Sequence, residues 1–515
     1  MTWDVVIAGG GPNGLALACE LGLAGVRPLV LESLTERSTV PKANGLVGQV
    51  IRLVDHRGLY ERFSGSTGAP RPTPWYMFGG FPLDLGQLDN NPIHTLPIPQ
   101  RRLEQLLEER AEELGVEIRR GHRLTAFTQD DDGVALEVAG PDGPQRLRAA
   151  YLVGCDGGRS TVRKQLGIGF PGVSGDGLVS RAAHVSLPEE LWVAETGELE
   201  VPGYGRVRPM MHTRTDRGVF VVAMLEPGKP LVSTLEWDPS AIGDATPMTI
   251  AELRESASRV LGADLPLGPP TAPGPYVLRR VEGGNTRLAE RYRMGRVLLV
   301  GDAAHVHSAV GGPGLNLGMQ DAANLGWKLA AQVQGWAPPG LLDTYHDERH
   351  PVGERVFMHS QAQLTLLSPG PGVTALRELF GELLGRTENV QHIADTMAGS
   401  DIRYPVACAH PLAGRFAPDL PLVTEAGPTR VAELMRGARP LLLDLTGEPD
   451  LRDTAAGWKD RVDTLSATTP EPAPAALLIR PDGYAAWAAS ADEPAAAMQS
   501  GLREALTAWF GAPVA

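Results

Sequence analysis

A strand-like run, Val5-Val6-Ile7-Ala8, enters Gly9-Gly10-Gly11-Pro12-Asn13-Gly14. An apolar stretch follows, and a second strand-like run, Pro28-Leu29-Val30-Leu31, ends at Glu32. A strand, a G-x-G-x-x-G turn, a helix, a strand and an acidic residue within about 30 residues make up the unit that holds a dinucleotide. Gly9 permits the tight turn, Gly11 lets a pyrophosphate approach the backbone, and Gly14 lets the helix pack on the strand. The helix start at Pro12 and Asn13 offers free N–H groups and a partial positive charge to phosphates. Glu32, followed by Ser33, stands where a carboxylate accepts from ribose hydroxyls. The alternative is an ordinary glycine-rich strand-to-helix turn. The motif alone fixes neither the dinucleotide nor the chemistry.

A chain of 515 residues exceeds one ordinary core, so two or three domains are expected. The balance of 43% hydrophobic to 21% charged residues is that of a soluble globular protein. A net charge of -14 argues against a nucleic-acid partner, which would need a basic field. No apolar run is long enough to span a bilayer, and the first strand begins too early to leave room for a signal peptide. Cys19, Cys155 and Cys408 are far apart and form no C-x-x-C, so a reducing cytoplasm is expected. Cys19 and Cys155 read as small buried hydrophobes.

Periodicity predicts an amphipathic helix from Arg101 to Leu114, with Leu103, Leu106 and Leu107 on one side. A hairpin is expected over Arg123 to Val138, turning at Asp130-Asp131-Asp132-Gly133, and a short buried strand at Tyr151-Leu152-Val153. The turn aspartates read as solvated rather than metal-binding. From Leu178 to Val281 the pattern becomes alternating strands, a separate sheet inserted into the dinucleotide domain. Val297 to Val300 returns to the buried parallel type, with a helix at Ala322 to Gln334. Beyond Tyr404-Pro405 a small α/β module follows, with strands at Pro440 to Leu445 and Ala476 to Ile479, a turn at Arg480 to Gly483 and a final helix over Leu502 to Phe510. The expected divisions are 1–177, 178–281, 282–403 and 404–515.

Two further segments bear on the cofactor. Gly154-Cys155-Asp156-Gly157-Gly158-Arg159 places an Asp-Gly at a strand end, where Asp156 can hold backbone N–H groups or a ribityl hydroxyl. Arg159 and Arg163 are placed to meet phosphate. Gly301-Asp302-Ala303-Ala304-His305 again ends a buried strand at an aspartate that can accept from a ribityl hydroxyl. The glycine-rich Gly311-Gly312-Pro313-Gly314-Leu315-Asn316 then opens a helix whose N-terminus can face a developing negative charge.

These three segments, in this order, resemble the motifs of the FAD-dependent aromatic hydroxylases, the p-hydroxybenzoate hydroxylase-like group A flavoprotein monooxygenases. His410-Pro411-Leu412, Leu442 to Leu445 and Arg480 to Gly483 resemble the thioredoxin-like tail of the aromatic polyketide hydroxylase and rifampicin monooxygenase subgroup. The resemblance implies an α/β fold: a Rossmann-like FAD-binding domain, an inserted β-sheet substrate domain and a C-terminal thioredoxin-like domain. It implies bound FAD, transient NADPH or NADH without a Rossmann domain of its own, and a flavin hydroperoxide that oxygenates a phenolic, polycyclic substrate with O2. A monomer or homodimer without nucleic-acid or membrane partner is expected.

The cofactor set it implies is Gly9, Gly11, Pro12, Asn13, Gly14, Glu32 and Ser33 for the ADP half. Lys42 falls at a position for phosphate or nicotinamide contact, Gln100 falls at the family's flavin-contact position at the start of its helix, and Leu124 meets the adenine side through its backbone. Asp156 and Gly157 form the second motif, Asp302 holds the ribityl chain, and Gly312, Gly314, Leu315 and Asn316 line the flavin ring. Departures are Lys42 for the usual arginine, which loses the planar fork, Ala309 for proline, and Pro313 where the subgroup often has glutamine. The last two bear on flavin chemistry and leave a catalytically silent flavoprotein as a rival. Baeyer–Villiger oxygenation, epoxidation and antibiotic inactivation use the same cofactor chemistry.

His305 and His307 lack a third metal ligand nearby, and His305 reads as structural. Arg101 reads equally as a cofactor contact or a helix-start ion pair. Met210, Met211 and His212 read as strand residues of pocket or core, and Trp75, Tyr76, Phe78 and Phe81 as ligand-flanking or core. No residue is identified as a catalytic base, because the reactive oxygen is carried by the cofactor.

Overall fold

A computed structural model of the chain describes residues 2–38, 42–175, 177–226, 228–237, 246–308, 310, 312–447 and 450–514. Strand β1 (Thr2–Ala8) turns through the glycines into helix α1 (Pro12–Leu23), and β2 (Pro28–Glu32) returns parallel to β1. Strands β3 (Glu117–Arg120), β4 (Gly143–Gly154) and β5 (Val297–Leu299) complete a parallel core in the order β5-β4-β1-β2-β3. Val5, Val6, Ile7, Leu29 and Val30 are fully buried. Layers cover both faces, so these strands read as continuous apolar runs. The chain builds outward from β1 through β2 to β3, then crosses back to lay β4 on the other side of β1. That reversal is a topological switch point, where the strand ends splay apart and leave a crevice.

The strand at Tyr151 to Val153 is the buried end of the longer β4. Its first half pairs antiparallel with Val134–Gly140, which pairs in turn with Arg123–Gln129. That half alternates between exposed and half-buried residues, so its apolar signal is weak. The expected hairpin turn is solvated: Asp130 Oδ1 accepts from the N–H groups of Asp132 and Gly133 and pairs with Arg148.

The middle sheet is antiparallel, built from Thr213–Thr215, Gly218–Glu226, Lys229–Trp237, Leu178–His184 and Leu278–Glu282 in spatial order. A helix at Ile250–Leu261, unexpected among strands, packs on one face. Its signals are local: the Thr249 side chain accepts from Glu252 N–H, and Gly262 stops it at φ +70°. The other face carries Val219, Val221, Leu235 and Trp237 against Val310, Leu364 and Leu367.

Helix α2 (Pro313–Gln334) starts well before the expected Ala322, because Pro313 sits in its first turn, where no intrahelical N–H is needed. Helix α3 (Thr344–Leu367) and helix α4 (Thr387–Ala398) follow. The last module holds β6 (Leu441–Asp444), β7 (Asp463–Ser466), β8 (Ala476–Ile479), β9 (Ala485–Ala489) and α5 (Ala495–Phe510). Its sheet order is β7-β6-β8-β9, with β6 parallel to β7 and the other pairs antiparallel. Leu502, Leu506 and Phe510 of α5 share a core with Trp327 and Ala331 of α2, so the module is built onto the long helix. No helix among the described residues is long and apolar enough to cross a membrane.

Candidate active site

The three glycine and aspartate segments meet at the C-terminal ends of β1, β4 and β5. Cys155 N–H donates to Ala8 O at 2.8 Å, and Val300 N–H to Gly154 O at 3.0 Å. Gly9 has φ +113°, and a Cβ there would collide with the Cys155 carbonyl; one on Gly14 would collide with Gly9 O. Cβ atoms on Gly301 or Gly318 would collide with the Asn13 amide. These glycines are thus required by one another across the three segments. Gly11 differs: a Cβ on it meets nothing within 4 Å. The gap in front of α1 therefore has room for a ligand against bare backbone.

Glu32 sits at the edge of this gap. Its Oε2 accepts from Gly10 N–H at 2.8 Å, and Oε1 accepts from Leu34 N–H at 2.8 Å and the Ser33 hydroxyl at 3.2 Å. Lys42 is exposed, beside Pro41, which lies outside the described residues. Gln100 clamps the same loop: its N–H donates to Ala43 O at 2.9 Å and its Oε1 accepts from Ala43 N–H at 3.4 Å. Leu124 is buried in the first core, which leaves only its backbone for a ligand.

Asp156 Oδ2 accepts from Thr161 N–H at 2.6 Å and Val162 N–H at 3.1 Å, as expected of an Asp-Gly turn, with Gly157 at φ +78°. Its Oδ1 is buried and has no partner among the described residues. The phosphate reading of Arg163 is corrected. It is buried, donates to Ala303 O and Gly158 O at 2.8 and 2.9 Å, and covers the Phe170 ring. It ties the second segment to the third. Arg159 is exposed.

Asp302 reaches solvent along the cleft while protein crowds it closely, and that crowding pushes its carboxyl pKa up. A Cβ on Gly314 would lie 3.7 Å from Asp302 Oδ1, so this carboxylate overhangs the start of α2. Gly312, at φ +62°, turns the chain into the helix. Asn316 Nδ2 donates to Gly312 O at 2.8 Å, and its Oδ1 accepts from Val47 N–H at 2.9 Å. Leu315 is half-buried against the first core. Pro313 costs the helix nothing but removes one N–H from its cleft-facing end. Ala309 and Gly311 lie outside the described residues.

His305 is structural: its Nε2 lies 2.6 Å from Asp321 Oδ2, Asp321 Oδ1 accepts from Arg349 Nε at 2.7 Å, and Arg349 donates to the Tyr404 hydroxyl at 2.9 Å. Burial pushes the Asp321 carboxyl up, but Arg349 and His305 outweigh it and hold it below the usual range. No group of three potential metal ligands is present among the described residues. Met210 to His212 form a turn before Thr213–Thr215 rather than a strand, with Met210 at φ +66°. Phe78 and Phe81 pack on Phe380, whereas Trp75 is exposed. Arg101 is exposed and makes no ion pair among the described residues. The three cysteines are free, and burial pushes the Cys19 thiol up to about 12.

A second polar assembly escapes sequence reasoning. Lys328, Glu348, Arg480, Asp482 and Asn324 are all buried and hydrogen-bonded, joining α2 and α3 to the last module. In sequence, Glu348 lies in a charged stretch that carries no motif, and Arg480 and Asp482 fall in the expected turn at Arg480 to Gly483.

The chain matches the FAD binding domain family over residues 2–360 and the aromatic-ring hydroxylase C-terminal family over residues 410–513. It belongs to the FAD-dependent aromatic-ring hydroxylases, a family of flavin monooxygenases. Within them it is 44% identical to a 12-dehydrotetracycline 5-monooxygenase/anhydrotetracycline 6-monooxygenase of Streptomyces rimosus, over 100% of both chains. It is 42% identical to a rifampicin monooxygenase of Streptomyces venezuelae, again over 100% of both. Among solved structures it superposes on the anhydrotetracycline hydroxylase of Streptomyces rimosus with TM-score 0.87 and 42% identity over 100% of both chains. A Diels-Alderase of pyrroindomycin biosynthesis gives TM-score 0.82 and 36% identity over 99% of both. The residues present fit FAD: the open face of Gly11, the unpartnered Asp156 oxygen and the cleft-facing Asp302 are the features such a ligand needs.

Proposed function

We propose that the protein hydroxylates a phenolic, polycyclic polyketide-type natural product, using O2 and a bound FAD that NADPH or NADH reduces. The supporting observation is the convergence of three distant turns on one cleft, beside the apolar face of the middle sheet. Full-length kinship to monooxygenases named for anhydrotetracycline and rifampicin supports the substrate class. When bound, FAD accepts electrons from the nicotinamide and delivers one oxygen atom from O2 to the ring.

The chain's residues hold and shield. Gly9, Gly11, Pro12, Asn13 and Gly14 bring the α1 N-terminus to the pyrophosphate, and Glu32 and Ser33 meet the ribose. Lys42 and Gln100 close over the cofactor, and the Leu124 backbone meets the adenine. Asp156, Gly157 and Asp302 take the ribityl hydroxyls. Gly312, Gly314, Leu315 and Asn316 set the positive end of α2 against the ring, where it favours negative charge. Val221, Leu235 and Leu364 exclude water from the substrate's rings. We assign no side chain as catalytic base.

The divisions 1–177, 178–281, 282–403 and 404–515 are retained. The last is read as thioredoxin-like, because a parallel β-α-β unit is followed by an antiparallel hairpin and a helix. Without a cysteine pair it serves structure rather than redox chemistry. Cytosolic residence fits three unpaired thiols.

Anhydrotetracycline or rifampicin is expected to accelerate NAD(P)H oxidation by the FAD-loaded enzyme and to yield a product one oxygen atom heavier. NAD(P)H oxidation with no oxygenated product from any polycyclic phenol would overturn the reading. Asp302→Ala is expected to weaken FAD binding roughly 10- to 100-fold through lost charge-assisted hydrogen bonds. Fluorescence titration reads this; unchanged affinity excludes the ribityl role. A second reading, a flavoprotein that shapes a cyclisation without oxygen transfer, draws on the Diels-Alderase relative and on Pro313. Turnover under anaerobic conditions would favour it.

A further inference from the structure

One polar side chain, His212, stands in the apolar face of the middle sheet that borders the cleft. It directly precedes the edge strand Thr213–Thr215, in which Thr213 pairs with Phe220 and Arg214 with Val219. That register puts His212 beside Val221, and alternation puts it on the face of Arg214 and Val219 rather than that of Phe220. Phe220 lies in the core under the Ile250–Leu261 helix, whereas Val219 and Val221 pack with Val310, Leu364 and Leu367 on the other side. A Cβ on Gly80 would lie 3.6 Å from His212 Cβ and 3.0 Å from Leu367 Cδ2, so His212 and Leu367 flank one point of that apolar cluster. Trp75 and Met210, two residues before Met77 and His212, are exposed, so this corner is the open edge of the face.

The two nitrogens of His212 are not equivalent. Nδ1 lies 3.1 Å from Met77 Sδ, on the hairpin strand Trp75–Phe78. A thioether can only accept, so Nδ1 carries the proton and Nε2 keeps its lone pair. Nε2 has no hydrogen-bond partner among the described residues, yet it is not sealed within protein. Burial pushes the His212 pKa down to about 4, with no charged group contributing. The ring is therefore neutral near pH 7: an acceptor in an apolar wall, and too weak a base to take the proton of a phenol.

We propose that His212 is a specificity-determining residue: its Nε2 accepts a hydrogen bond from a free ring hydroxyl of the polycyclic substrate and disfavours an ether at that place. Met77 acts through it by fixing the tautomer. An ether oxygen brings no proton, so it leaves Nε2 unpaired once the ring system has displaced water from the apolar wall. The inference rests on the proposed hydroxylation and adds how the substrate is held rather than how it reacts.

Calorimetry on the FAD-loaded enzyme tests it by comparing 2,6-dihydroxynaphthalene with its dimethyl ether in wild type, His212→Asn and His212→Gln. The Asn amide can fill the place of Nδ1 but offers nothing at Nε2, whereas Gln carries an acceptor to the Nε2 position. Wild type is expected to bind the diol at least about ten-fold tighter than the diether. His212→Gln should keep that ratio within about three-fold, and His212→Asn should cut it at least about five-fold, with FAD content unchanged in both. The bulk of the added methyl groups cancels between variants. Because the imidazole is neutral, the wild-type ratio should hold steady between about pH 5.5 and 8. A ratio that survives in His212→Asn, falls equally in both variants, or steps near about pH 6.5 overturns the proposal, as does failure of the diol to bind. If oxygen is still inserted into a polycyclic phenol, only the His212 assignment fails. If the ratios behave as expected and no polycyclic phenol is oxygenated, the hydroxylase reading fails alone.

Discussion

Replacing Glu348 with alanine is expected to cost about 3–5 kcal/mol of stability, because Asp482 alone is left to balance Lys328 and Arg480 and one buried positive charge goes uncompensated. Glu348 Oε1 accepts from Arg480 Nη1 at 2.6 Å, and Oε2 accepts from Arg480 Nη2 at 2.8 Å, Lys328 Nζ at 2.7 Å and Asn324 Nδ2 at 2.6 Å. Arg480 and Lys328 are fully buried, so neither can turn to water when the carboxylate is removed. Burial alone would raise the Glu348 pKa, but Arg480 and Lys328 hold it down to about 2. A carboxylate depressed on folding stabilises fully above its unfolded value of about 4.3 and loses that contribution as pH falls toward the folded value. Wild type should therefore lose stability between about pH 4.5 and 2 more steeply than Glu348→Ala does. Denaturant midpoints across that range read both effects. A variant within about 1 kcal/mol of wild type at neutral pH would contradict the role given to the cluster.

The second large effect separates ligand space from folding space. Gly11→Ala is expected to leave the fold intact, since φ is -75° and the added Cβ meets nothing. It fills the gap assigned to the pyrophosphate, and overpacking of about 1–3 kcal/mol corresponds to a roughly 5- to 150-fold loss of FAD affinity. Gly14→Ala drives its Cβ into Gly9 O, which is backbone and cannot rotate away. It should lower both the apoprotein melting point and FAD content. Flavin-to-protein ratios and melting of the flavin-free forms distinguish the two. If Gly11→Ala keeps wild-type FAD content, the pyrophosphate lies elsewhere.

Much of this site is legible in sequence because its parts are local. Each of the three turns pairs a buried strand end with glycine or aspartate, and backbone geometry alone demands those residues. Gly9, Asp156 and Gly312 could therefore be placed before any long-range contact was known. Arg163 departs from its expected phosphate role because a turn arginine has the same sequence signal whether it meets phosphate or, as here, donates to Ala303 O and stacks on Phe170. The members of the Glu348 cluster were invisible for a related reason. Their partners lie on separate helices and modules, and charged residues at helical spacing look solvated until packing covers them. The helix at Ile250–Leu261 is another case: Thr249, Glu252 and Gly262 marked its ends, but the surrounding alternation hid them.

The central claim is that this cleft inserts an atom of dioxygen into an aromatic ring. Turnover of a polycyclic phenol with NAD(P)H under dioxygen labelled with heavy oxygen tests it most directly, with the product read by mass spectrometry. The account predicts one labelled oxygen atom per product molecule, attached to the ring and absent when label is supplied in water. A product that forms without dioxygen, or that takes its new oxygen from water, would contradict it.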